Sequence, residues 1–158
     1  MRIGQGVDVH AFDQSGSADS VRLGGVDIPH DRQLIAHSDG DVVLHALMDA
    51  LLGAAALGDI GQHFSDTDPA YAGANSMALL KQVVQMIRAE SYAIGNADIT
   101  IAAERPKIAP HASNMRERIA DALGVDQNQI SIKATTTEGL GFLGRREGIA
   151  VTAVVLLE

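Results

Sequence analysis

SDGDVVLHALMDALLGAAALG, residues 38–58, is the stretch on which the fold turns. Val43, Leu44, Leu47, Leu51 and Ala55 recur at helical spacing, Ser38-Asp39-Gly40-Asp41 offers side chains that cap a helix N-terminus, and Leu57-Gly58 predicts its end. Upstream, residues 3–10 alternate as a strand does: Ile3, Val7 and Val9 fall on one side, with Gly4, Gly6, Asp8 and His10 on the other. Between these segments, short strands around Val21–Leu23 and Val26–Pro29 flank Gly24-Gly25 and predict a hairpin or meander.

Downstream, the Gly/Asp/Pro-rich residues 59–73 predict a long loop, too long for a mere connection and so a candidate functional segment. Asn75-Ser76 then caps a helix whose apolar face is Leu79, Leu80, Val83, Val84 and Ile87. A strand over 98–103, a helix carrying Met115, Ile119, Ala122 and Leu123, and strands over 130–135 and 148–157 complete the chain. The pattern predicts one α/β catalytic domain spanning 1–158, a mixed sheet with helices packed on one face in a two-layer sandwich. The final strand is apolar on both faces, Ile149, Val151, Ala153 and Val155 against Ala150, Val154 and Leu156, so oligomerisation is the expected way to cover the bare face.

Composition narrows the function. At 158 residues, 46% hydrophobic and 20% charged, the chain is long and apolar enough to bury a core. A net charge of -8 lacks the basic stripe of a nucleic-acid binder, so no nucleic-acid partner is expected. No apolar run approaches a membrane span and no signal-peptide pattern opens the chain, so a soluble, cytoplasmic protein with no membrane partner is expected. With no Cys, any metal must be held by His and carboxylates.

Three groups of residues carry candidate chemistry. Asp8 and His10, two apart on a strand, form half of a divalent-metal site, although such a pair is more often a simple ion pair. His45, the lone imidazole of an aliphatic helix, is the best third ligand. Asp41 and Asp49, four residues to either side, are candidates to orient it. His37 is either an alternative ligand or, with Ser38, a cap for a phosphate. Three protein ligands without a thiolate leave the fourth zinc position open, the arrangement of a catalytic rather than a structural ion. The second group is Lys133-Ala134-Thr135-Thr136-Thr137-Glu138-Gly139, continuing through Phe142 to Arg145. There hydroxyls and free amides suit phosphate oxygens, and Glu138 suits a Mg²⁺ shared with them. The third is the acidic loop Asp59-Ile60-Gly61 with Phe64-Ser65-Asp66-Thr67-Asp68-Pro69, an ordinary surface turn unless it borders a phosphate site.

Taken together, these segments resemble the 2-C-methyl-D-erythritol 2,4-cyclodiphosphate synthase family. The likeness runs nearly end to end, through Asp8-Val9-His10, Ala36-His37-Ser38-Asp39-Gly40-Asp41, His45-Ala46, Leu51 to Gly61, Asp66-Thr67-Asp68-Pro69, Arg105-Pro106-Lys107, Ala134 to Glu138 and Gly141-Phe142. The resemblance implies a homotrimer with active sites at subunit boundaries. It also implies Zn²⁺ on Asp8, His10 and His45, and a second ion, Mg²⁺ or Mn²⁺, engaging Glu138. By the same resemblance His37, Ser38 and Thr136 assist the phosphates, with His37 and Thr136 as catalytic residues. Asp59, Ile60 and Gly61, with Phe64, Ser65, Asp66, Thr67 and Asp68, line an erythritol pocket. Ala103, Glu104, Arg105, Pro106, Lys107, Ile108 and Ala109, with Thr135, Thr136 and Thr137, surround a cytidine diphosphate, and Phe142 and Arg145 complete the contacts. An isoprenoid or anion at the trimer axis is a further implied partner. The chain departs from the family at Val7, Ser65 and Arg146, where Phe, Pro and Gly are usual.

The implied substrate is 4-diphosphocytidyl-2-C-methyl-D-erythritol 2-phosphate, whose 2-phosphate attacks its own β-phosphorus and expels CMP in the non-mevalonate route to isoprenoids. Two rivals use the same residues: a zinc-dependent phosphoesterase, whose metal activates water, and a non-catalytic nucleotide-binding trimer, whose metal only stabilises the assembly.

Overall fold

A computed structural model describes residues 1–65, 71 and 73–158. Its elements run β1 (Arg2–Ala11), β2 (Ser20–Leu23), β3 (Val26–Pro29), α1 (Val42–Ala55), α2 (Ile60–His63), α3 (Ser76–Ala89), β4 (Ile94–Ala102), α4 (Ala112–Leu123), β5 (Ile130–Thr135), α5 (Gly141–Gly144) and β6 (Gly148–Leu157). Four strands form a mixed sheet in the order β1-β6-β4-β5, antiparallel except for the β4–β5 pair. β2 and β3 form a separate two-stranded sheet rather than extending the main one. Their connection is Gly24-Gly25 with φ of 59° and 75°. Positive φ at both central residues suits the tight two-residue turn whose twist matches that of the strands.

α1 is buried nearly all round, from Val42 through Ala54, which marks it as the central helix and not a surface one. Asp41 caps it, accepting from the Leu44 amide, and also receives the amides of Gly24 and Gly25 at 2.8 and 2.7 Å, tying helix start to hairpin turn. The helix ends two residues earlier than expected, at Ala55, because Ala56 itself takes the left-handed conformation (φ 60°) that the sequence pattern assigns to Gly58. α3 is capped by Asn75 as predicted.

On the covered side of the sheet lie Ile149, Val151, Ala153, Val155 and Leu157 of β6 with Ile99 and Ile101 of β4, all buried. The opposite side of β1 and β6 presents Ile3, Val7, Val9 and Val154, exposed by 72, 56, 48 and 42%. The helices therefore cover the first of these faces, and the other keeps a largely apolar exposed strip interrupted by Gln5 and Thr152. No helix among the described residues is long and apolar enough to cross a membrane.

Candidate metal centre and adjoining cavity

Gly4 and Gly6 let β1 lie against α1 at backbone distance. A Cβ on Gly6 would stand 2.0 Å from the Ala46 carbonyl oxygen, and one on Gly4 2.0 Å from that of Ala50. One strand step beyond Gly6, on the same face, Asp8 and His10 meet His45 of α1. His10 Nε2 lies 3.0 Å from Asp8 Oδ2, and His45 Nδ1 lies 3.1 Å from the same oxygen. The two ring centroids are 5.2 Å apart, and one ligand atom from each of the three side chains falls within 4.8 Å of the others.

The outer contacts of His45 settle which nitrogen faces the cluster. Its Nε2 lies 3.0 Å from both Ser38 Oγ and Ser76 Oγ, and the Ser76 hydroxyl donates its only proton to Asp39. Ser76 Oγ is therefore an acceptor toward His45, so Nε2 carries the ring proton and Nδ1 presents a lone pair to Asp8. Two lone pairs 3.1 Å apart need a positive charge between them: a second ring proton or a metal ion. A carboxylate and two imidazoles, with no thiolate, suit Zn²⁺ with one coordination position left open. Burial pushes the Asp8 carboxyl upward, but the hydrogen bonds and charges of His10 and His45 outweigh it and hold the group far below the usual carboxylate range.

Asp41 and Asp49 do not orient His45, contrary to the expectation from their i±4 spacing. Asp41 turns to the hairpin amides, and Asp49 accepts the Ile60 amide at 2.8 Å, anchoring the start of α2. The orienting pair is Ser76 and Asp39, with Ser38 beside them. Ser76 reads as a helix-cap residue in the sequence, and only the packing of α3 against α1 brings it to His45.

A cavity of about 290 Å³ opens beside the cluster, lined by His10, His45, His37, Ser38, Ile60, Gly61 and Phe64, and also by Met48, Tyr71 and Leu79. Sequence reasoning missed the last three, which carry no chemical signature. Asp59 caps α2 through the Gln62 amide and points to that cap, not into the cavity. The expected long loop thus begins with a helical turn that presents Ile60 and Gly61. Ser65 is half-buried; Asp66, Thr67 and Asp68 lie outside the described residues.

The second constellation sits elsewhere in the chain. Thr135 ends β5, and Thr136 Oγ1 donates to Glu138 at 2.9 Å, with Glu138 itself exposed at a φ of 54°. Glu104 Oε1 accepts the amides of Thr137 and Gly139 at 3.2 Å each, so it braces this turn. Gly144 lets the turn fold back, since a Cβ there would stand 2.0 Å from the Gly139 carbonyl carbon. In the neighbouring loop Arg105, Lys107 and Ala109 are exposed, whereas the buried Ala103, Pro106 and Ile108 can offer a ligand little beyond backbone. Arg145 is held by Glu147 in a two-point ion pair at 2.8 and 3.1 Å, and Phe142 is exposed by 41%.

The registers measure the separation of the two constellations. Val9 pairs with Ala150, Ala150 with Ala102, and Ala102 with Thr135, one row across four strands. Three strand spacings put Thr135 roughly 14 Å from Val9, between Asp8 and His10, with both constellations at the same end of the sheet. Glu138 accordingly joins no metal cluster with Asp8, His10 and His45 among the described residues.

These features define the class: a two-layer α/β protein with a three-residue candidate metal centre opening on a cavity. More narrowly, the chain belongs to the YgbB family, whose model matches residues 1–158. It is similar to the 2-C-methyl-D-erythritol 2,4-cyclodiphosphate synthase of Ectopseudomonas mendocina (strain ymp), 63% identical over 157 residues, 99% of this chain and 98% of that protein. Among solved structures, Plasmodium falciparum IspF in complex with CDP superposes with a TM-score of 0.85 at 36% identity, covering 99% of this chain and 94% of that one. The bifunctional IspDF from Campylobacter jejuni superposes with a TM-score of 0.93 at 47% identity; the match covers 99% of this chain and 42% of the bifunctional one.

Proposed function

We propose that this chain is a 2-C-methyl-D-erythritol 2,4-cyclodiphosphate synthase. It converts 4-diphosphocytidyl-2-C-methyl-D-erythritol 2-phosphate to the cyclic diphosphate and CMP, a CMP-releasing lyase step of non-mevalonate isoprenoid synthesis. The observation that carries this reading is the Asp8/His10/His45 cluster facing a cavity bordered by His37, Ser38 and the α2 turn. The name of the 63% identical relative and the CDP bound by the Plasmodium neighbour support it. The whole of 1–158 acts as one catalytic domain.

In the reaction an oxygen of the 2-phosphate bonds to the β-phosphorus, the bridge between α- and β-phosphates breaks, and CMP leaves with the bridging oxygen. Nucleophile and leaving group are both phosphates already ionised near neutral pH, so the protein needs no strong base. Its task is to bring two anions together and fold the substrate, a positioning effect able to contribute about 7–11 kcal/mol. When bound, Zn²⁺ on Asp8, His10 and His45 supplies Lewis-acid polarisation of a phosphate oxygen, and Mg²⁺ or Mn²⁺ on Glu138 offsets phosphate charge.

The side chains divide the remaining work. His37 and Ser38, on the cavity rim, donate hydrogen bonds to phosphate oxygens. Ile60, Gly61 and Phe64 form the apolar wall for the methylerythritol, with Asp59, Ser65, Asp66, Thr67 and Asp68 around its hydroxyls. The backbone of 103–109 holds the cytosine, while Lys107, Thr135, Thr136 and Thr137 meet the nucleotide phosphates. The half-sites stand about 14 Å apart in one chain. A second copy, docked on the strip of Ile3, Val7, Val9 and Val154, closes that gap in a homotrimer with sites at subunit boundaries.

Turnover in ¹⁸O-labelled water tests the reading against metal-activated hydrolysis. Cyclisation yields CMP and a cyclic product free of label; label in the diphosphate product would establish the phosphoesterase instead. His45→Ala separates the third reading, because it abolishes turnover if the cluster is catalytic and merely lowers thermal stability if the metal only holds an assembly together.

A further inference from the structure

A second cavity, about 440 Å³, lies between the exit of β3, the Arg105–Lys107 loop, the start of α4 and the turn before β6. Arg32, Arg105, Lys107 and Arg146 line it, four of the 12 Lys and Arg residues in a chain of net charge -8, with Asp31 the only carboxylate of the lining among the described residues. Other basic side chains of this chain are tied down, Arg22 to Asp27, Lys133 to Asp98 and Arg145 to Glu147 in ion pairs, and Arg2, Arg88 and Arg116 to backbone carbonyls. Arg105, Lys107 and Arg146, in contrast, have no ion pair or side-chain hydrogen bond among the described residues, and Arg32 contacts only the neutral Gln14 through its guanidinium. Four like charges gathered in one concavity against a single carboxylate raise its potential and favour an anion there. The opposite wall is apolar: His30 stacks on the buried Phe12 at 4.5 Å and 16°, and Ile28, Pro29 and Pro110 adjoin it.

We propose that this cavity is an anion site distinct from the reaction centre, taking a small phosphate or diphosphate ester whose apolar body rests against the Phe12/His30 stack. Of the residues assigned above to the nucleotide, only Arg105, Pro106 and Lys107 face it; neither the Asp8/His10/His45 cluster nor Thr135 to Glu138 does. Arg146 is the residue that most sets it apart. It occupies a left-handed φ of 58°, a conformation glycine adopts without cost, so the chain keeps an arginine there against its own backbone preference.

Calorimetric titration of inorganic diphosphate into the zinc-loaded protein, in excess Mg²⁺ and saturating cytidine diphosphate, tests the site. Saturable binding persists under those conditions, and Arg146→Gly, which relieves the backbone and removes only the cation, weakens it about tenfold. Arg32→Gln weakens it similarly, whereas His45→Ala leaves it unchanged, so the result stands apart from the fate of the proposed synthase activity. Phenyl phosphate binds more tightly than inorganic phosphate if the apolar wall takes part. Loss of all binding once cytidine diphosphate is saturating, or wild-type diphosphate affinity in both arginine variants, overturns the site; equal affinity for the two phosphates overturns its apolar half.

Discussion

Gly6 and Ala46 touch through their backbones, so closely that the position a Cβ would take on Gly6 is 2.0 Å from the Ala46 carbonyl oxygen. Ala46 directly follows His45, and Gly6 precedes Asp8 by one strand step. The contact that packs β1 on α1 is thus the one that sets the metal cluster. Gly6→Ala must push the two elements apart, an overpacking that costs about 1–3 kcal/mol or more. Urea unfolding will show the lost stability, and zinc analysis of the folded fraction will show a lower metal content. A variant of unchanged stability and full metal content would contradict this account of the approach.

Ser76→Ala tests the orienting role of the Asp39–Ser76–His45 chain. Removing the hydroxyl costs the Asp39 carboxylate one donor, leaving it the Ser76 and Asp41 amides, and leaves the His45 Nε2–H with Ser38 alone. Loss of such a partner ordinarily lowers metal affinity 10–100-fold. Competition with a zinc-binding dye will report that drop, and Ser76→Thr, which keeps the hydroxyl, will recover most of it. Equal affinity in wild type and Ser76→Ala would remove Ser76 from the site.

Much of this was legible in the sequence, for reasons that particular residues make plain. Strand alternation placed Asp8 and His10 together, and helical periodicity placed His45 on a buried helix, because both rest on local geometry. Asp41 and Asp49 misled because i±4 spacing says which side chains share a helix face and nothing about what other elements offer them. The Gly24-Gly25 amides and the Ile60 amide took those carboxylates. Ser76 and Tyr71 were invisible as site residues, since their place beside the cluster comes from how α3 and its approach pack on α1. The separation of the half-sites likewise follows from strand order, which no local pattern encodes.

Chelation tests how far the cluster depends on an ion. Three inward ligands that converge without metal leave unbalanced lone pairs, so bound zinc stabilises the folded state by mass action, about 2.7 kcal/mol at 100 times Kd. Removing zinc with a chelator should lower Tm measurably in the wild type and leave Tm unmoved in His45→Ala. A wild-type Tm indifferent to chelator would show that these residues do not hold zinc in the folded protein.

Acid should release the metal through the imidazoles and not through the carboxylate. The Asp8 carboxyl is held far below its ordinary value of 3.8, so it stays ionised in mildly acidic solution and takes up no competing proton there. An imidazole nitrogen holds a metal ion only when it carries no proton, so protons compete with zinc for ring nitrogens and not for this carboxylate. Zinc affinity therefore falls as pH drops below neutral, while the free carboxylate remains charged. Asp8→Asn should weaken binding at every pH and keep the steepness of that fall, whereas His45→Ala should flatten it. Dye competition across pH 5 to 8 separates these outcomes: an Asp8→Asn profile that loses its slope would mean the competing proton sits on the carboxylate, contrary to the geometry around Ser76.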